Sequence, residues 1–122
     1  MGTGTDRIKV LLIEDDGDSR ELLAEILEEE FEVRTAGDGL SGLAAFEEEH
    51  PDVIVTDESL PGMCGTVLAR RVKERHPEAR VILVSGFAQV EGSEHCDVVL
   101  RKPIDVDRLS AAVESLGEAA RH

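Results

Sequence analysis

Between Pro51 and Met63 the chain reads Pro-Asp-Val-Ile-Val-Thr-Asp-Glu-Ser-Leu-Pro-Gly-Met. Val53, Ile54 and Val55 are three β-branched residues in succession, which suits an extended strand. No polar residue separates them, so neither face of that strand is prepared for water. Strands of this kind belong to parallel sheets covered on both sides by helices. The run ends at Asp57, and Pro61-Gly62 turns the chain away. Open parallel sheets bind ligands in the crevice beyond the carboxyl ends of their strands. Asp57 therefore stands where chemistry is possible, provided other strands bring matching groups to the same edge.

The rest of the chain repeats the alternation. Ile8 to Ile13 reads as a first buried strand, stopping at Glu14-Asp15-Asp16. Gly17 and Asp18 make a turn, and Asp18 or Ser19 caps a helix reaching about Glu29. Its apolar stripe is Leu22, Leu23, Ile26 and Leu27. Phe31 to Thr35 alternates apolar and polar, as an edge strand does. A Gly37-Asp38-Gly39 turn opens a helix from Leu40 to Glu49, closed by His50-Pro51. After the Val53 strand comes a helix from about Gly65 to Arg75. Val81 to Val84 forms a fourth strand reaching Ser85-Gly86, and Val98 to Leu100 a fifth just before Lys102-Pro103. Asp105 caps a last helix with Val106, Leu109, Val113 and Leu116 on its core face.

Strands alternating with helices predict an α/β, flavodoxin-like three-layer sandwich, with a five-stranded parallel sheet in the order 2-1-3-4-5. Only 16 residues separate Ser85 from Lys102, and they include the fifth strand. A helical crossover needs about 10–12 residues or more, so the fourth helix is expected to be short or irregular. The whole chain, 1–122, reads as one domain with a core from about 8 to 117.

Thirteen basic residues against 27 acidic ones give a formal charge of −14. That balance opposes binding to nucleic-acid phosphates or to anionic membranes. No apolar run approaches the roughly 18 residues of a membrane span, and Met1 to Asp6 lacks the features of a signal peptide. A cytoplasmic location is expected. Cys64 and Cys96 are isolated, which suits reduced thiols. The four histidines have no metal-ligand spacing.

All strands of a parallel sheet end on one side. Strand one delivers Glu14 and Asp15, strand three Asp57, strand four Ser85 and strand five Lys102. Three carboxylates in one crevice repel: two unit charges 4 Å apart cost about 4 kcal/mol at an effective dielectric of 20. An oxygen-only cluster is best relieved by Mg²⁺ or Mn²⁺. Carboxylate, hydroxyl, lysine and divalent cation together outline a phosphoryl-acceptor site.

Glu14-Asp15 after strand one, Asp57 with Leu60-Pro61-Gly62-Met63 and Gly65 behind it, Ser85-Gly86 and Lys102-Pro103 resemble the receiver domain of two-component response regulators. The resemblance runs from about Lys9 to Leu116. It implies that Asp57 accepts a phosphoryl group from a sensor histidine kinase or a histidine phosphotransfer protein. It also implies Mg²⁺ on the side chains of Asp15 and Asp57 and the backbone carbonyl of Ser59, with Glu14 acting through water. Ser85 and Lys102 would contact the phosphoryl group. A downstream protein partner is implied but not specified.

Two departures accompany the match. Val99 stands where the family usually has Tyr or Phe, and the fourth connection is short. Glu58, Ser59 and Phe87 are expected beside the phosphoryl site, with Phe87 anchored in the core or at the rim in preference to gating the site. Two other readings stay open on the residues alone. One is a pseudo-receiver, an interaction module that is never phosphorylated. The other is a Mg²⁺-dependent phosphohydrolase of the haloacid dehalogenase kind, to which Glu14-Asp15-Asp16-Gly17-Asp18 is an imperfect match.

Overall fold

The computed structural model describes residues 7–121. The N-terminal stretch read above for targeting signals, and His122, lie outside them. Five strands, β1 (Lys9–Ile13), β2 (Glu32–Ala36), β3 (Val53–Asp57), β4 (Arg80–Ser85) and β5 (Val98–Arg101), form one sheet in the order β2-β1-β3-β4-β5. Every pairing is parallel, with Val10 opposite Val53, Asp57 opposite Val84 and Ser85 opposite Arg101. Four helices accompany it: α1 (Gly17–Glu28), α2 (Gly39–Glu49), α3 (Gly65–Arg75) and α4 (Val106–Ala120). The expected fold and strand order are those found.

The alternation of side chains along a strand explains the two cores. Val10, Leu12, Val53, Val55, Ile82 and Val84 face one side and pack against Leu23 and Leu27 of α1 and Leu109 and Val113 of α4. Leu11, Ile13, Ile54 and Val81 face the other and meet Phe46 of α2 and Leu68, Ala69 and Val72 of α3. Each fully buried Leu or Ile contributes about 1.5–3 kcal/mol from its removal from water. The middles of the three central strands thus need apolar residues on both faces, which is why they read as unbroken runs, with polar residues only towards their ends.

Two details differ from expectation. The cap of α1 is Asp16, whose carboxylate accepts from the Ser19 backbone N–H at 2.9 Å, so the helix starts at Gly17. Leu22 is 59% exposed and does not belong to the stripe. The buried face of α1 is Leu23, Ala24 and Leu27. Asp38 and Asp105 cap α2 and α4 in the same manner as Asp16.

The short fourth connection carries a single 3-10 turn, Ser93–His95. Asp97 fastens it to β4: its N–H donates to the Val81 carbonyl, and its carboxylate accepts from the Val81 N–H, both at 2.8 Å. Lys73 of α3 holds the same carboxylate at 2.7 Å. Without a full helix over it, β5 is covered on one side only. Val98 and Leu100 pack into the core with α4, while Val99 is left 40% exposed.

Candidate functional site

The carboxyl ends of β1, β3, β4 and β5 bring the anticipated groups together. Glu14 follows β1 and is buried, Asp15 next to it is exposed, and Asp57 closes β3 with 5% of its surface accessible. One carboxylate oxygen from each of these three lies within 4.8 Å of the other two. Oxygen ligands converging at this spacing, with one member open to solvent, fit a small hard cation that keeps several waters. Lys102, one residue past β5, places its Nζ 2.8 Å from Asp57 Oδ1. Its backbone N–H donates to the Ser85 carbonyl at 2.8 Å, and the Lys102-Pro103 peptide is cis.

Burial raises the pKa of Glu14, and the neighbouring Asp57 charge and Asp15 push it further up. The Asp16 N–H, donating to Glu14 Oε2 at 3.1 Å, opposes that rise. The hydrogen bond to Asp57 raises the pKa of Lys102, despite some desolvation. The lysine therefore stays cationic against the acids, and its contact with Asp57 is charge-assisted. Ser85 is buried, and its Oγ accepts from the Phe87 N–H at 3.0 Å. That bond uses an acceptor lone pair and leaves the hydroxyl proton to donate elsewhere.

Among the residues expected near the site, Ser59 is exposed in the loop after β3. Phe87 is 66% exposed, so it is no core anchor. Glu58 differs most. Its carboxylate turns to the start of α3, accepting from the Thr66 N–H at 2.9 Å and from the Thr66 hydroxyl at 3.3 Å. The residue at the usual cap position, Cys64, makes no side-chain cap bond. Glu58 replaces it from six residues upstream. Periodicity carries no sign of such a substitution, because the bond depends on the loop folding back.

Gly65 is required by close approach. A Cβ there would stand 2.5 Å from the Asp57 carbonyl oxygen and 2.8 Å from Leu83 Cδ1. The Gly65 N–H donates to the Glu58 carbonyl at 3.0 Å, and the Glu58 N–H to the Val84 carbonyl at 2.9 Å. The loop carrying Ser59 is thus closed at its base against the strand that ends in Asp57.

A parallel sheet with acids after its first and third strands, and a lysine after its fifth bonded to the central acid, is the layout of a phosphoryl-receiving signalling module. The comparisons with known proteins agree. The model of the response regulator receiver domain matches residues 10–114. The response regulator receiver protein CpdR of Brucella abortus is 33% identical, over 92% of this chain and 98% of that protein. Sporulation initiation phosphotransferase F of Bacillus subtilis is 28% identical, over 87% of this chain and 90% of that one. A receiver domain structure from Clostridium thermocellum superposes with a TM-score of 0.87, at 28% identity, covering 93% of this chain and 97% of that one. The chain belongs to the response regulator receiver domain family and is a receiver of two-component signalling. The phosphohydrolase reading is thereby set aside. The chain also matches parts of longer proteins, spanning 53% of the transcriptional regulatory protein CseB of Streptomyces coelicolor. Among the described residues no helix is long and apolar enough to cross a membrane.

Proposed function

We propose that residues from about 8 to 117 work as one receiver domain, located in the cytoplasm, in which Asp57 is the phosphoryl acceptor. The donor is a phosphohistidine on a sensor histidine kinase or a histidine phosphotransfer protein. A carboxylate oxygen of Asp57 forms the new bond to phosphorus. The bond from phosphorus to the donor's imidazole nitrogen breaks, and its electron pair stays on that nitrogen. Lys102 and the Ser85 hydroxyl meet the oxygens of the transferred group, supplying a fixed positive charge and a hydrogen bond where negative charge is concentrated. Glu14, Asp15, Asp57 and the Ser59 backbone carbonyl would hold Mg²⁺ or Mn²⁺, which when bound neutralises charge on the phosphoryl oxygens. The domain assists its own phosphorylation and dephosphorylation and acts on no separate substrate.

The observation that carries this reading is the 2.8 Å contact of Lys102 with Asp57 beside the convergent acid trio. A merely structural strand-end aspartate needs neither. The test is incubation with acetyl phosphate, or with beryllofluoride, with and without MgCl₂, followed by intact-mass spectrometry or ¹⁹F NMR. The wild-type protein gains a Mg²⁺-dependent adduct and Asp57→Asn gains none. A wild-type protein that gains no adduct is a pseudo-receiver, and an adduct surviving in Asp57→Asn assigns the acceptor elsewhere.

A further inference from the structure

We infer that Arg20 is a positioning residue for cation binding: from α1 it holds the Glu14-Asp15 segment in the geometry that brings both carboxylates to Asp57. This rests on the reading of the acid trio as the Mg²⁺ site.

Arg20 Nη1 donates to the backbone carbonyl of Glu14 at 2.8 Å. The guanidinium lies between two glycines. A Cβ on Gly37 would stand 3.2 Å from Nη1, and one on Gly17 would stand 3.7 Å from Nη2. The bonded carbonyl belongs to the peptide linking Glu14 to Asp15, so fixing it fixes the direction in which Asp15 leaves the strand. Two further bonds complete the frame: Glu14 N–H to the Ala36 carbonyl at 3.1 Å, and Asp16 N–H to Glu14 Oε2 at 3.1 Å. Of the three, only the bond from Arg20 comes from a side chain of the helix.

The need for such a hold is electrostatic. Asp15 is exposed and its carboxylate lies among two other acids. With no cation bound, repulsion favours swinging it out into water, and a later cation must then bear the cost of bringing it back. A bond that pins the peptide in advance removes that cost, which is preorganisation. Arg34, by contrast, pairs with Glu48 and Glu49 on the exposed surface of β2 and α2.

The test compares Mg²⁺ affinity by calorimetric titration in wild type, Arg20→Gln, Arg20→Lys, Gly37→Ala and Arg34→Gln. Loss of a hydrogen bond from a charged donor weakens binding by about tenfold, the fall expected for Arg20→Gln. Arg20→Lys recovers part of it. Gly37→Ala, which keeps the arginine but crowds its Nη1, weakens Mg²⁺ by a smaller factor, and Arg34→Gln leaves it within twofold. At saturating Mg²⁺ the beryllofluoride adduct of Arg20→Gln returns to the wild-type level, a recovery that a collapsed site would not give. Unchanged affinity in both Arg20→Gln and Gly37→Ala overturns the inference, as does an equal fall in Arg34→Gln. If Arg20→Gln does not fold, Gly37→Ala alone decides. Failure of the wild type to bind Mg²⁺ would instead remove the reading of the site itself.

Discussion

The carboxylate of Glu58, the residue next to Asp57, closes the first turn of α3 through the backbone N–H of Thr66, 2.9 Å away. A residue adjacent to the proposed phosphoryl acceptor thus caps a helix. Glu58→Ala leaves α3 without a side-chain cap and lowers stability by about 1–2 kcal/mol, measured by urea unfolding. Glu58→Gln keeps an accepting oxygen and loses less than half as much.

Gly65 couples α3 to Asp57 more rigidly. Because the group facing its missing Cβ at 2.5 Å is the backbone carbonyl of Asp57, the clash cannot be relieved by a rotamer change. Gly65→Ala is expected to cost about 1–3 kcal/mol and to reduce the beryllofluoride adduct together with stability. Gly86, with nothing within 4 Å of its Cβ position, gives the contrast: Gly86→Ala stays within about 0.5 kcal/mol of wild type.

The acid trio predicts opposite effects of one substitution with and without cation. Asp15→Asn removes a charge lying within 4.8 Å of two others. At that distance each repulsion is worth about 3 kcal/mol at an effective dielectric of 20, and exposure of Asp15 screens it to roughly 1 kcal/mol. In EDTA the thermal midpoint of Asp15→Asn therefore rises above wild type. In saturating MgCl₂ the order reverses, because only the wild type gains from binding. Differential scanning calorimetry reads both arms.

Cys96 supplies a pH dependence. Burial pushes its thiol up to about 11 from an ordinary value of 9.0. The folded protein then holds a proton that the unfolded chain releases first, so this contribution is fully present below pH 9 and lost as pH rises toward 11. The thiol is only partly buried, so solvent screens the effect and stability should fall by roughly 1 kcal/mol across that window, with the fall absent in Cys96→Ser. In the wild-type protein at pH 8, alkylation of Cys96 by iodoacetamide should run on the order of a hundredfold slower than in the unfolded chain.

The groups of the proposed phosphoryl site were readable in the chain because they stand at strand ends, and strand ends are marked by where apolar runs stop. Ile13 then Glu14, Val55-Thr56 then Asp57, and Val84 then Ser85 each mark such an end. Parallel pairing alone brings them to one edge. The short fourth connection was equally plain, since residue count limits what can be built. Leu22 was misplaced because helical spacing tells which residues share a face but not how wide a strip the sheet covers.

The order of apolar runs and turns in the sequence sufficed for the sheet, its two cores and the gathering of Glu14, Asp15, Asp57, Ser85 and Lys102, because burial and chain direction constrain whole elements. Which atom meets which was settled only by folding. Glu58 capping α3, Arg20 reaching the Glu14 carbonyl and Asp97 fastening β5 to β4 join residues 8, 6 and 16 positions apart. Such bonds depend on how loops close in three dimensions, and a polar residue in a loop carries no periodicity from which its partner can be read.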